Sequence, residues 1–277
     1  MKLAYSTNAY TRTSLIEALS SIAEIGFEGA EILCDHPHLF PGRTTADEIE
    51  AIQKLLDEKQ LGISNINANT ANCYFNPLPP ENVFEPSLSS ANKAYREWRI
   101  NFSQEAIRLA SSLGARCISV TSGHPGSGGS PQQGLGYFIE SLQQICEVAD
   151  KYDVHVGIEY EPGLLVERAT EVAEVIEQVG SAHLGVNLDI GHSYLNWETA
   201  TEAIDCLAGR IWNVHVEDIA QRKHFHLVPG DGDLPIEEYL NRLKHVGYDG
   251  YLTVELYTFP DRPEEVGRRA LQYLQAL

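Results

Sequence analysis

Val246-Gly247-Tyr248-Asp249-Gly250-Tyr251-Leu252-Thr253-Val254-Glu255-Leu256 reads as a helix end, a turn and a short strand, one after another. Gly247 stands where a helix closes on a left-handed residue, Tyr248 packs the joint, and Asp249-Gly250 turns the chain into an aliphatic run. The same succession stands near the other end of the chain, in Ile25-Gly26-Phe27-Glu28-Gly29-Ala30-Glu31-Ile32. Two copies of one helix-to-strand joint, far apart in sequence, predict a repeating unit. Working outward, Gly114 and Gly180 close two further helices ahead of strand-like segments. The strand candidates are residues 2–6, 29–33, 62–66, 117–121, 154–159, 184–189, 211–216 and 251–255. Between them runs helical periodicity, as in the apolar stripe Leu15, Leu19, Ile22 and Ile25. Eight strands, each followed by a helix, predict parallel strands, because a parallel return needs a crossover. In about 250 residues they predict an α/β chain folded as a single (β/α)8 TIM barrel, one domain over residues 1–277. An open doubly wound sheet is disfavoured by the count and by the lack of a GxGxxG turn after the first strand.

One connection breaks the rhythm. From Asn67 to about Asn92 the chain carries four prolines and few helix signals. A loop of that length after the third strand predicts a lid over the barrel mouth. Tyr74, Phe75 and Phe84 favour a packed lid over a disordered one.

The 277 residues are 43% hydrophobic, as in an ordinary globular chain, and no apolar run approaches the length of a bilayer crossing. The first residues enter a strand directly, without a signal region, so a cytoplasmic location is expected. The five cysteines are scattered without a CxxC pair, which argues against a disulfide framework or a thiolate zinc site. Thirty-nine acids against twenty bases give a formal net charge of -19. Such a chain lacks the basic face that displaces counterions from phosphate, so neither nucleic acid nor an anionic membrane is an expected partner. Association into a homo-oligomer is left open.

In a barrel of this kind chemistry gathers at the C-terminal ends of the strands. Glu159, Asp189, His215 and Glu255 end the fifth to eighth strands, each delivering one ligand atom to the same rim. Carboxylates crowded together would repel and lose hydration, and a divalent cation offsets both costs. An oxygen-rich set with one imidazole suits one divalent ion such as Mn²⁺, Mg²⁺, Co²⁺ or Zn²⁺. His192, three residues after Asp189, and Glu161, two after Glu159, are placed to face a bound ligand. His224 and His226 follow in a loop, and Glu31 and His124 end or follow the second and fourth strands. His155 and His183 fall at the opposite end and read as structural.

With these motifs in order, the chain resembles the xylose isomerase-like TIM-barrel superfamily over essentially its full length, in particular its sugar-phosphate isomerase/epimerase members of the ketose 3-epimerase kind. The resemblance rests on Glu159, Pro162 and Gly163; on Asp189 and His192; on His215 and Asp218; on Pro229, Gly230, Gly232 and Asp233; and on Glu255. It implies that Glu159, Asp189, His215 and Glu255 hold the metal. It further implies that Glu159 and Glu255 exchange a proton on either side of a substrate carbon, and that His192 contacts substrate oxygens. Metal on a carbonyl acidifies the neighbouring C–H, and carboxylates can remove and return its proton. The expected substrate is a small sugar, polyol or sugar phosphate of carbohydrate metabolism, contacted by His192, Glu161, His124, His226 and an arginine after the seventh strand, for which Arg222 is nearest. The alternative is a metal-dependent dehydratase of an inosose- or dehydroshikimate-like compound. An endonuclease IV-type enzyme is disfavoured, since it needs more histidines where Asn67 and Asn69 stand and an Asp-x-His where this chain has His224-x-His226. A non-enzymatic binding protein is the remaining reading.

Overall fold

A computed structural model describes residues 1–277. Eight parallel strands close a barrel in chain order: β1 (Lys2–Ser6), β2 (Gly29–Leu33), β3 (Gly62–Asn67), β4 (Cys117–Val120), β5 (His155–Ile158), β6 (Leu184–Asp189), β7 (Ile211–Val216) and β8 (Tyr251–Val254). The helices are α1 (Leu15–Ile25), α2 (Ala46–Lys59), α3 (Lys93–Leu113), α4 (Pro131–Tyr152), α5 (Ala169–Val179), α6 (Ile190–Leu195), α7 (Ala200–Asp205), α8 (Ile236–His245) and α9 (Pro263–Gln275). There are thus nine helices where one per strand was expected. The extra one, α6, starts directly on β6 because the Asp189 carboxylate accepts the His192 amide at 2.8 Å and caps the new turn. Elsewhere the helix starts are written in the sequence. Ser14 with Glu17, Thr45 with Glu48 and Thr199 with Glu202 form reciprocal capping boxes. Helix α1 closes at Gly26 with φ of 109°, a conformation that a side chain resists.

Alternation along the strands sorts core from site. Val186 and Leu188, Val214 and Val216, and Leu252 and Val254 belong to the buried apolar cluster beneath the helices. Their neighbours Asn187 and Asp189, Asn213 and His215, and Thr253 point into the barrel. The interior is accordingly polar. The Thr253 hydroxyl lies 2.9 Å from the Ser64 hydroxyl and 2.8 Å from the Asn213 side-chain oxygen Oδ1, and the Asn213 amide donates to Asn187 Oδ1 at 2.8 Å. Two register irregularities fall between Ala30 and Glu31 and between Val186 and Asn187, just ahead of residues that build the site.

The long β3–α3 connection is anchored at its root. The buried Arg99 guanidinium donates to the carbonyls of Ala68, Asn69 and Thr70 at 2.6–2.8 Å. The Asp35 carboxylate accepts from the Thr70 hydroxyl and from the amides of Asn72 and Cys73 at 2.5–2.8 Å. Ser87 to Ser90 are buried. Tyr74 turns outward, edge-on to Tyr95 and Trp98 of α3, whereas Pro80, Glu81, Asn82 and Phe84 line the cavity at the barrel mouth. All five cysteines are free, and no helix is long and apolar enough to cross a membrane.

Candidate active site

A cavity of about 590 Å³ opens at the C-terminal ends of the strands. Another of about 630 Å³ lies at the opposite end, against His155 and Trp212. Only the former carries converging acids, and the ring of His155 stacks on Trp212 at 4.0 Å as a packing element.

Glu159 and Glu255 stand one residue beyond β5 and β8, their amides still bonded to the Val120 and Val216 carbonyls, which sets each side chain at the rim. Both line the mouth cavity, while Asp189 and His215 lie fully buried beneath them. One ligand atom from each of Glu159, Asp189, His215 and Glu255 falls within 4.8 Å of all the others. The imidazole sets their arrangement. Its Nε2 lies 2.6 Å from Glu31, which leaves Nδ1 facing Glu159 at 3.2 Å, Glu255 at 3.6 Å and Asp189 at 3.9 Å. A carboxylate behind a histidine fixes its tautomer and raises its basicity as a ligand. Asp189 Oδ1 is spent on capping α6, and its Oδ2 is buried without a hydrogen-bond partner, aimed into the cluster. The donor set and the orphaned oxygen fit one divalent cation.

Without a cation the electrostatics are strained. Burial pushes the Glu255 carboxyl well up, opposed by His215 but reinforced by Glu159, Glu31 and Asp189. Burial alone would lower His215; Glu159, Glu31 and Glu255 overcome it and hold the imidazolium well above its ordinary range. Glu31 is buried too, yet His215 and donors from Asn65 and Asn67 hold its carboxyl below its usual value. Asn8 donates to Glu255 at 2.8 Å, Asn69 donates to Glu159 at 2.9 Å, and Asn187 also reaches Glu159.

Of the expected companions, His192, Glu161 and His226 line the cavity. Burial, then Glu159 and Asp189, push Glu161 up to about 8. Burial is also the first cause that pushes His192 and His226 down to about 3. Two expected contacts lie elsewhere. His124 is exposed, edge-on to Phe84 with ring centroids 6.0 Å apart. Arg222 follows a positive-φ turn at Gln221 and is itself at φ 51°, which throws its side chain outward. Its guanidinium lies 3.8 Å from the ring centroids of both Tyr194 and Trp197 and donates to the Tyr194 carbonyl. Asp218 serves its own loop, accepting from the amides of Gly230, Gly232 and Leu234 at 2.8–3.1 Å.

Sequence reasoning missed Glu217, and it named Glu31 without a role. Glu217 is fully buried with neither oxygen hydrogen-bonded, and it lies close to Asp189 and His226. Burial and then Asp189 push its carboxyl well up. Its position two residues after His215, on the same face of an extended strand, was the available signal. Gly191 makes room for it, since a Cβ there would collide with the Glu217 carboxylate.

A family profile described as xylose isomerase-like TIM barrel matches residues 19–277. The chain is 26% identical over 282 aligned positions to a fructoselysine 3-epimerase of Shigella flexneri, covering 100% of this chain and 98% of the relative. It is 22% identical to an inosose dehydratase of Clostridium perfringens, covering 94% and 88% of the two chains. A crystal structure of a D-tagatose 3-epimerase-like protein superposes with a TM-score of 0.82 at 25% identity, over 100% of this chain and 98% of the other. The similar proteins are thus largely epimerases and isomerases of small sugars.

Proposed function

Since the chain belongs to the xylose isomerase-like TIM-barrel family, we propose that it is a divalent-metal-dependent epimerase or isomerase of a small unphosphorylated ketose or polyol-derived ketone. The observation that carries this reading is the pair Glu159 and Glu255, both facing one cavity and both within 3.6 Å of the same His215 nitrogen. Glu159, Asp189, His215 and Glu255 would hold the ion, which polarises a substrate carbonyl and so acidifies the C–H beside it. One of the two glutamates takes that proton and the other returns one to the opposite face, which inverts the carbon. Asn8, Asn69 and Asn187 orient the two carboxylates through their amide donors. Tyr257, His226 and Glu161 line the cavity for hydroxyl contacts, and the β3–α3 loop acts as its lid.

The charge of the cavity narrows the substrate. No lysine or arginine lines it, and Glu81, Glu159, Glu161 and Glu255 do. A phosphate would meet these carboxylates with no lysine or arginine to pair with, so sugar phosphates are disfavoured and neutral or amine-bearing sugars suit it.

The test is deuterium incorporation from heavy water into a panel of ketoses and inososes, each with its phosphate. Exchange at carbon 3 of an unphosphorylated ketose supports the reading, and Glu159→Gln or Glu255→Gln should keep metal while turnover falls by orders of magnitude. Near-normal exchange in Glu255→Gln would defeat the two-base mechanism. Loss of water from an inosose in place of exchange would favour the dehydratase reading, which the Clostridium relative supports.

A further inference from the structure

The largest fully buried side chain in the protein is a charged one, Arg99. It sits in the second turn of α3, on the face that also buries Ser103, Ala106 and Ala110. A buried guanidinium loses hydration that its neighbours must replace. Burial lowers its pKa, and Asp35 is the first charge to oppose that. Its hydrogen-bond partners are backbone oxygens. Nη2 donates to the carbonyls of Ala68 and Asn69, both at 2.6 Å, and Nη1 donates to that of Thr70 at 2.8 Å. Three consecutive carbonyls that converge on one side cannot all be paired by a strand neighbour, so the arginine supplies their donors where the chain leaves β3.

That stretch of backbone carries Asn69, which is 5% exposed and lines the mouth cavity. Its carbonyl also accepts from the Thr121 hydroxyl at 3.1 Å, and its own N–H donates to Asn67 Oδ1 at 3.3 Å. From this fixed root the Asn69 side-chain amide donates to Glu159 Oε2 at 2.9 Å. We propose that Arg99 is a positioning residue for Glu159, acting through Asn69. Arg99 does not line the cavity and stands outside the acid cluster, so it reaches the site only through the backbone it holds. The proposal rests on the reading of Glu159 as a metal ligand. Asn187 reaches the same Glu159 oxygen from β6, so losing Asn69 loosens the carboxylate without freeing it. The expected effect is therefore the lower end of what a partner behind a ligand contributes, about tenfold in metal affinity.

The experiment is a double-variant cycle on the full chain, read by titrating chelator-stripped protein with Mn²⁺ against a competing chelator. Asn69→Ala should weaken binding by about tenfold. Arg99→Lys should weaken it by less, because an ammonium keeps the charge and loses the planar fork that spans three carbonyls. The double variant should bind no more weakly than Asn69→Ala alone, since both changes act through one amide. Arg99→Gln, which keeps two donors without the charge, is measured alongside, so that one folded variant suffices. A second readout needs no metal. In the stripped wild type the Asn69 side-chain amide protons should exchange slowly with solvent and resonate downfield, and either Arg99 variant should move them toward the position of a free amide. A purely structural arginine would lower the melting temperature and leave both readouts of the folded variant unchanged, which would overturn the proposal; so would losses that add in the double variant. A wild type that binds no manganese would defeat the metal reading of Glu159, while the Asn69 amide signal would still decide the role of Arg99.

Discussion

Replacing Glu31 with glutamine tests what aims His215. The Glu31 carboxylate accepts from four donors: His215 Nε2 at 2.6 Å, the Ser6 hydroxyl at 2.7 Å, Asn65 at 2.8 Å and Asn67 at 3.1 Å. A glutamine in its place offers one accepting oxygen, and its amide group then opposes a donor. The imidazole loses the partner that keeps Nε2 protonated and Nδ1 open toward Glu159, Asp189 and Glu255. Removing the partner behind a ligating histidine costs about 10–100-fold in metal affinity, or about 1.4–2.7 kcal/mol. The assay is titration of stripped protein with Mn²⁺ or Co²⁺ against a competing chelator at fixed pH. Circular dichroism establishes that the variant is folded, since breaking a buried charge pair costs about 3–5 kcal/mol in the metal-free state. A dissociation constant within twofold of wild type, in a folded variant, would refute the idea that Glu31 orients the ligand.

Metal loading should release protons, because His215 and Glu255 are both held protonated in the metal-free cluster by shifts well above their ordinary values. Affinity should then rise with pH, and calorimetry in buffers of different ionisation enthalpy should report net proton release; zero release would contradict it. For Glu161 the folded carboxyl titrates at about 8, above its unfolded value, so ionising it costs stability as pH climbs from about 4.5 to about 8. Glu161→Gln removes that cost, so the stripped variant should melt with wild type at pH 4.5 and above it at pH 9, with about 5 kcal/mol as the ceiling. Arg222→Ala should leave KM within about twofold, since the guanidinium sits between Tyr194 and Trp197 outside the cavity; a large rise in KM would return it to the substrate.

The barrel was legible because each element announces itself locally. Glycine-closed helices and β-branched runs gave strand positions within a residue or two, although Glu159 and Glu255 fell just outside β5 and β8. The acid cluster was legible for a different reason. A closed parallel barrel converts position at a strand end into position on one rim, so four strand ends sufficed to name Glu159, Asp189, His215 and Glu255. That conversion stops where the chain leaves the ladder. Arg222 and His124 lie on irregular loops, where two positive-φ residues or a run of glycines decide direction and periodicity carries no signal. Tyr74 shows the same limit, as an aromatic of the long loop that packs outward on α3. Helix α6 escaped notice because its cap is also a site residue, so Asp189 read as chemistry alone.

The residues that were hardest to see explain why the visible ones work. A ring of carboxylates around one imidazole is held only if something fixes it against repulsion before a cation arrives. In most such barrels aliphatic layers fill the interior; here Ser64, Asn213, Asn187 and Thr253 form a hydrogen-bonded floor, with Asn65 and Asn67 tied to Glu31 beside it. A hydrogen-bonded polar layer in a low dielectric is rigid, and each partner removed leaves an unsatisfied buried group. That rigidity is what lets Glu31 hold His215 by one nitrogen and turn the other toward Glu159, Asp189 and Glu255. Glu217, just beyond the end of β7, is a buried acid with neither oxygen paired, beside Asp189 and His226. It stands beside the acid cluster, so a cation held by Glu159, Asp189, His215 and Glu255 would offset part of the cost of ionising it.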